Sequence, residues 1–157
     1  MATSQEELDS KRFYSTLKKV VSGIVEHYTC DDDGYKITFS VDGEPFEVLF
    51  KFSLHPSSQL MTLYSKLAFT VDEDKRAAYA TRICSLNYDR MYGATFDFSP
   101  DKGITVYRIA VPYKKSLISP ELIEQVIRDT YATVMRYNQY LYDVARGIEA
   151  ELPPEQS

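Results

Sequence analysis

The chain has no tryptophan, only two cysteines and two histidines, and six glycines in 157 residues. Cys30 and Cys84 form no CxxC pair and sit at no metal-ligand spacing, which argues against a zinc site or a redox dithiol. Free cysteines fit a reducing, cytoplasmic compartment. His27 and His55 lie on different elements with no second ligand at a recognisable spacing. GxGxxG, P-loop, HExxH and GxSxG motifs are all missing, so no short signature of catalysis or cofactor binding is present. No apolar run approaches the ~20 residues that a spanning helix needs. The opening residues MATSQEELDSKR are polar and acidic rather than signal-like. The net charge of -5 repels phosphate backbones and speaks against nucleic-acid binding. The basic doublets Lys11-Arg12, Lys18-Lys19 and Lys114-Lys115 are short and scattered. Expected from these absences is a soluble, cytoplasmic, non-enzymatic protein with no cofactor and no metal.

What is present has the patterning of one domain, expected over residues 4–149, with 150–157 as a flexible tail. Ser4 and Glu7 fit a capping box. Leu8, Tyr14, Leu17, Val21, Ile24, Val25 and Tyr28 recur at helical spacing behind it. CDDDG closes that helix. Its acidic run lacks the alternating ligands of a calcium loop and reads as a solvated turn. In YKITFSVDGEPFEVLF, Tyr35, Ile37, Phe39 and Val41 alternate with polar residues, and Asp42-Gly43 predicts a two-residue hairpin turn. That turn would set Val41 against Glu44, Phe39 against Phe46, Ile37 against Val48 and Tyr35 against Phe50. Pro45 has no N–H, so one flank there should be unpaired.

LMTLYSKLAF predicts a third strand, with Met61, Leu63, Leu67 and Phe69 on one face. Asp72 or Asp74 can cap a second helix, whose stripe Ala80, Ile83, Cys84 and Asn87 suggests close packing on a sheet or a partner. Cys84 then reads as a small core residue. The ribbon FDFSPDKGITVYRI follows, with Gly103 taking positive φ in the turn. Its register pairs Ser99 with Ile104, Phe98 with Thr105, Phe96 with Tyr107 and Ala94 with Ile109. Beyond Ser99 and Ile104, the other three pairs make an apolar core face. Thr95, Asp97, Ile104, Val106, Arg108 and Ala110 make a mixed outer face. Asp97 and Arg108 are diagonal neighbours there, either a surface ion pair or an interface pair. The last helix starts at Ser119-Pro120 and stops near Gly147, about 40 Å long at 1.5 Å per residue. Its stripe runs from Ile123 through Val126, Ile127, Thr130, Tyr131, Val134, Asn138, Leu141, Val144 and Ala145 to Ile148. Tyr137 and Tyr140 fall off it. With 13 tyrosines in the chain, such residues suit a protein interface.

The order αβββαββα gives an α+β fold: a five-stranded, mainly antiparallel sheet packed against a long C-terminal helix. It resembles the type III secretion chaperone-like fold, and within it the YbjN-type family of sensory transduction regulators. The segment LNYDRMYGATFDFSPDKGITVYRIAVPYKKSLISPELIEQVIRDTY carries the likeness. Its marks are Asn87 in the second helix, Phe96-Asp97, Gly103, Tyr107-Arg108, the SPEL helix start and the closing VARG. The resemblance implies an acidic homodimer that binds a protein client or regulatory partner and carries no catalytic residues. The interface it suggests combines helix 2 with the outer ribbon face: Ile83, Asn87, Thr95, Asp97, Val106 and Arg108. Strand addition at an open sheet edge is the expected mode. The alternative is a small-molecule or enzymatic pocket between sheet and helices, which would gather His27, His55 or Cys84 beside a carboxylate.

Overall fold

A computed structural model describes residues 1–115 and 118–155. Helix α1 (Ser4–Ile24) is capped by Thr3 and Glu6, whose side chains each accept from the other's backbone N–H. Ser4 and Glu7 satisfy the same pattern one residue later, and local sequence does not separate the two. The helix stops at Ile24 rather than continuing to Tyr28. The freed residues supply a short strand, β1 (Thr29–Asp31), so the sheet has six strands instead of five. The remaining elements are β2 (Lys36–Val41), β3 (Val48–His55), β4 (Leu60–Thr70), α2 (Arg76–Arg90), β5 (Ala94–Ser99), β6 (Ile104–Pro112) and α3 (Pro120–Ala145). The sheet order is β1-β2-β3-β4-β6-β5, and every neighbouring pair is antiparallel.

Strand side chains alternate between faces, and burial identifies the covered one. Ile37, Phe39, Phe50, Phe52, Leu63, Phe96 and Tyr107 join the buried faces of the three helices in one core. Thr38, Ser40, Lys51, Lys66, Arg108 and Ala110 occupy the other face and are exposed. The sheet is therefore helix-covered on one side and bare on the other.

The β2–β3 connection departs from the expected tight turn. Val41 pairs with Val48, Phe39 with Phe50 and Ile37 with Phe52, so residues 42–47 form a longer loop. The register moves by four residues. Because four is even, the apolar face stays on the core side. Helix α3 decides the matter. Tyr131 Oη donates to the Asp42 carbonyl at 2.9 Å, and Asn138 Nδ2 donates to the Phe46 carbonyl at 3.4 Å. A Cβ on Gly43 would lie 2.7 Å from Met135 Sδ. Pro45 follows a cis bond within this loop and is not part of a strand.

The β5–β6 ribbon has the register expected from its sequence. Gly103 takes φ +67 at its turn, and its N–H donates to the Ser99 carbonyl at 2.8 Å. Arg76 at the start of α2 holds that turn. Its guanidinium donates to the carbonyls of Val71, Pro100 and Asp101 at 2.9–3.0 Å. The α2 core face is Tyr79, Ile83 and Leu86, and Cys84 is exposed rather than in the core. The large Tyr79 ring takes the position against the sheet that a small-residue stripe would have filled.

Asn87 has a different use. Its Nδ2 donates to the Phe96 carbonyl at 2.8 Å, and its Oδ1 accepts the Phe96 N–H at 2.9 Å. One side-chain amide thus stands in for a neighbouring strand on the free edge of β5.

Helix α3 starts at Ser119 as expected, with the Ser119 hydroxyl capping Leu122 and Pro120 in the first turn. Gly147 ends it at φ +74. Tyr137 and Tyr140 are buried, at 4% and 5% exposed, contrary to the single-stripe reading. The helix touches α1 and α2 as well as the sheet, so its buried arc is wider than one stripe. After Gly147 the chain turns back, and Ala150 and Leu152 pack against the core. Gln156 and Ser157 of the expected tail lie outside the described residues.

Two outcomes follow from this packing. Replacing Asn87 with Ala strands the Phe96 backbone pair, and urea denaturation should show a loss of about 1–3 kcal/mol. A loss within the ordinary surface range of about 0.5 kcal/mol would show that the amide is dispensable. Burial pushes the Tyr79 hydroxyl well above the ordinary tyrosine range, while its 2.7 Å contact with Thr105 Oγ1 works weakly the other way. Unfolded tyrosine deprotonates near pH ~10, so above that the folded chain binds more protons than the unfolded one. Stability should be full below pH ~10 and fall as the pH rises past it. Urea midpoints across that range check this, and Tyr79→Phe should flatten the decline.

Candidate functional site

The bare sheet face is shaped by its edges. On one side β1 pairs with β2 only at residues 36–38. Residues 39–41 of β2 have no strand on their outer flank among the described residues. The link before β1, Glu26-His27-Tyr28, stands beside them and walls a groove of about 800 Å³. Its floor is Thr38, Ser40, Leu49, Lys51, Tyr64 and Lys66, with Val106 at the far side. A second hollow of about 650 Å³ lies beyond Tyr64, lined by His55, Leu60, Thr62, Thr95, Arg108 and Ala110 among others. Tyr64 borders both, so the two hollows lie side by side as a trough across β3, β4 and β6 with Tyr64 between them.

Thr95, Asp97, Val106 and Arg108 all belong to this face. Arg108 Nη2 lies 2.8 Å from Asp97 Oδ2, and Thr95 Oγ1 donates to Asp97 Oδ1 at 2.8 Å. The pair is about half exposed, so its contribution to stability is about 0–1 kcal/mol. Its effect on the surface is larger: Asp97 and Arg108 neutralise each other, leaving Val106 as an apolar spot beside them. Ile83 and Asn87 do not reach this face. Ile83 is 4% exposed and points into the core, and Asn87 is engaged with Phe96. Helix α2 therefore supports the ribbon from behind instead of sharing its outer surface.

Tyr64, Leu49, Lys51 and Lys66 complete the trough and were not singled out from sequence. Period-2 alternation in β4 does set Tyr64 and Lys66 opposite to Leu63 and Leu67. The signal was present, but only the β3–β4–β6 pairing shows that Leu49, Tyr64 and Val106 converge.

The groups that a catalytic pocket would need are spread out. His27 is on the groove wall beside Glu26. His55 is in the second hollow, 3.0 Å from Thr62 Oγ1. Cys84 is on α2, in neither hollow. Among the described residues no group of three or more His, Cys, Asp or Glu side chains could hold a metal ion. No helix among them is long and apolar enough to cross a membrane.

No protein-family model matches the chain. No curated protein matches it either. The YbjN-type resemblance therefore has no support from sequence comparison. A solved structure does match in fold: one chain of the crystal structure of the ExsC-ExsE complex. The likeness has a TM-score of 0.60 at 10% identity and covers 90% of this chain and 97% of that one. At that identity the likeness is one of fold. It agrees with the α+β, type III secretion chaperone-like architecture, here with an antiparallel sheet of six strands and a long C-terminal helix.

Proposed function

We propose that this chain is a non-catalytic protein-binding module, chaperone-like or a regulatory adaptor, that works as a homodimer and receives a partner on its bare sheet face. The observation that carries the reading is the trough itself. A sheet face with Tyr64, Leu49 and Val106 among polar residues is half-apolar without being a core. Such a surface matches the mixed composition of protein interfaces, where aromatic and aliphatic groups sit inside a polar rim. Lys51 and Lys66 make its centre basic in a chain of net charge -5, which favours an acidic, extended partner segment. The open flank of β2 at residues 39–41 is where such a segment would add backbone hydrogen bonds. The likeness to a chain of a two-component complex supports a protein partner.

The small-molecule alternative is favoured by the groove volume, which falls inside the ~300–1,000 Å³ range of ligand sites. The shape opposes it. The groove lies open along a sheet face, whereas ligand pockets bury most of their ligand's surface.

The combined substitution Val106→Glu and Arg108→Glu tests the module. Expected is loss of self-association in sedimentation velocity and of specific partners in affinity capture from the host. The same variant should stay folded, losing about 1–2 kcal/mol from the broken Asp97–Arg108 pair and from Glu placed opposite Asp97. Unchanged self-association together with unchanged capture would refute the assignment of this face.

A further inference from the structure

On the helical side of the molecule, residues after Gly147 run in a groove between α2 and α3. Gly147 lies beside Lys75, ahead of the first residue of α2: a Cβ there would come within 3.4 Å of Lys75 Cε. Pro153 and Glu155 reach Arg90, the last residue of α2. The segment thus follows α2 along its whole length. Fifteen helical residues span about 22 Å, and the eight steps from Gly147 to Glu155 reach about 26 Å when extended. The tail is therefore long enough to follow the helix in an extended form.

Its grip is chemically specific. Arg90 Nη1 donates to the Pro153 carbonyl at 3.4 Å, and Arg136 Nη1 donates to the Pro154 carbonyl at 3.3 Å. Arg90 Nε lies 3.5 Å from Glu155 Oε1, and Leu152 packs against the core. The prolines hold φ near −65° and have no N–H to satisfy, so their carbonyls are the natural handles for a donor. Two arginines from two helices supply those donors. None of these contacts reads a side chain that only this tail has, apart from one aliphatic and one acidic position. All three polar distances are long, which suits exchange.

The groove also continues past this contact. Arg90 and Arg136 border a further hollow of about 320 Å³ with Tyr92, Tyr107, Asp129 and Tyr137 in its lining. None of the described tail residues lines it. Tyr92 is 89% exposed at its rim. Aromatic side chains next to donors aimed at prolyl carbonyls are the elements of a proline-segment site.

We propose that the α2–α3 groove binds an extended aliphatic-Pro-Pro-acidic segment of a partner protein, and that residues 150–155 occupy it in cis as a displaceable strap. A partner segment longer than the strap gains the unfilled hollow, whereas the tethered tail has the advantage of high effective concentration. The site is separate from the sheet trough and does not depend on it.

The test uses the full chain, ¹⁵N-labelled, and a tail-released variant carrying Leu152→Asp and Glu155→Arg. Two synthetic probes are titrated: EAELPPE, which copies residues 149–155, and EAELPPE extended by four residues. Expected are saturable amide shifts around residues 88–94 and 132–137. Both probes should bind the released variant at least fivefold more tightly than the wild-type chain. The extended probe should exceed the short one at least threefold. Arg136→Ala in the released variant should weaken both at least threefold. Absence of saturable shifts in the released variant would overturn the site. Equal affinity for wild-type and released chains would overturn the strap. Should the released variant fail to fold, the wild-type chain titrated to millimolar extended probe decides the site alone. Concentration-dependent self-association that disappears on tail release would replace the partner by a second copy of this chain.

Discussion

Helix α3 lays ten buried side chains, from Ile123 to Ala145, against the inner sheet face and the two flanking helices. Each large apolar side chain so buried is favourable by roughly 1.5–3 kcal/mol relative to exposure. The contacts also set geometry. Tyr131, Met135 and Asn138 hold the β2–β3 loop, Tyr142 packs edge-on against Phe46 at 4.9 Å, and Tyr137 meets Phe96 at 5.9 Å. One helix thereby ties the β2–β3 connection to β5 near the other edge of the sheet. Removing it would leave the inner faces of β3, β4 and β6 without cover.

That concentration of cover on one side leaves the other side bare, and the edges become the remaining liability of the sheet. The two edges are treated differently. At β5, Asn87 supplies both a donor and an acceptor to Phe96 and closes the middle of the edge. At the opposite edge β1 is only three residues long and leaves part of β2 uncovered. Strand addition is thus closed at the centre of one edge and open at the other. The open edge adjoins the trough that carries the mixed surface.

The elements with strong local signals were legible in sequence. Ser119-Pro120 and Gly147 bound α3, and Pro100 to Gly103 set a ribbon whose register holds residue for residue. The failures share a cause: a distant partner outweighed a local preference. Asp42-Gly43 has the chemistry of a tight turn, but Met135 and Asn138, more than ninety residues on, hold a wider loop. The CDDDG segment reads as a turn, and Asp32, Asp33 and Gly34 do form one, but Thr29, Cys30 and Asp31 pair with β2 as a strand. Asn87 is expected at an interface, but its side-chain amide is taken by the backbone of Phe96, which no side-chain pattern announces. The trough was half legible. Alternation assigned Thr95, Asp97, Val106 and Arg108 to the outer face. Tyr64, Leu49 and Lys66 needed the β3–β4–β6 pairing, which sequence spacing alone does not supply.

The two surfaces meet at one place. Met91 and Ala94, in the turn from α2 into β5, line both the second hollow of the sheet face and the hollow at the end of the α2–α3 groove. A chain leaving the groove past Arg90 therefore arrives at the Ala94 end of β5, next to Thr95 and Arg108. Asn87 blocks the edge at Phe96, one helical turn and two strand residues away, and leaves this corner free. The start of β5 is thus the corner where the hollow at the end of the groove and the second hollow of the sheet face adjoin, clear of the Asn87 contact.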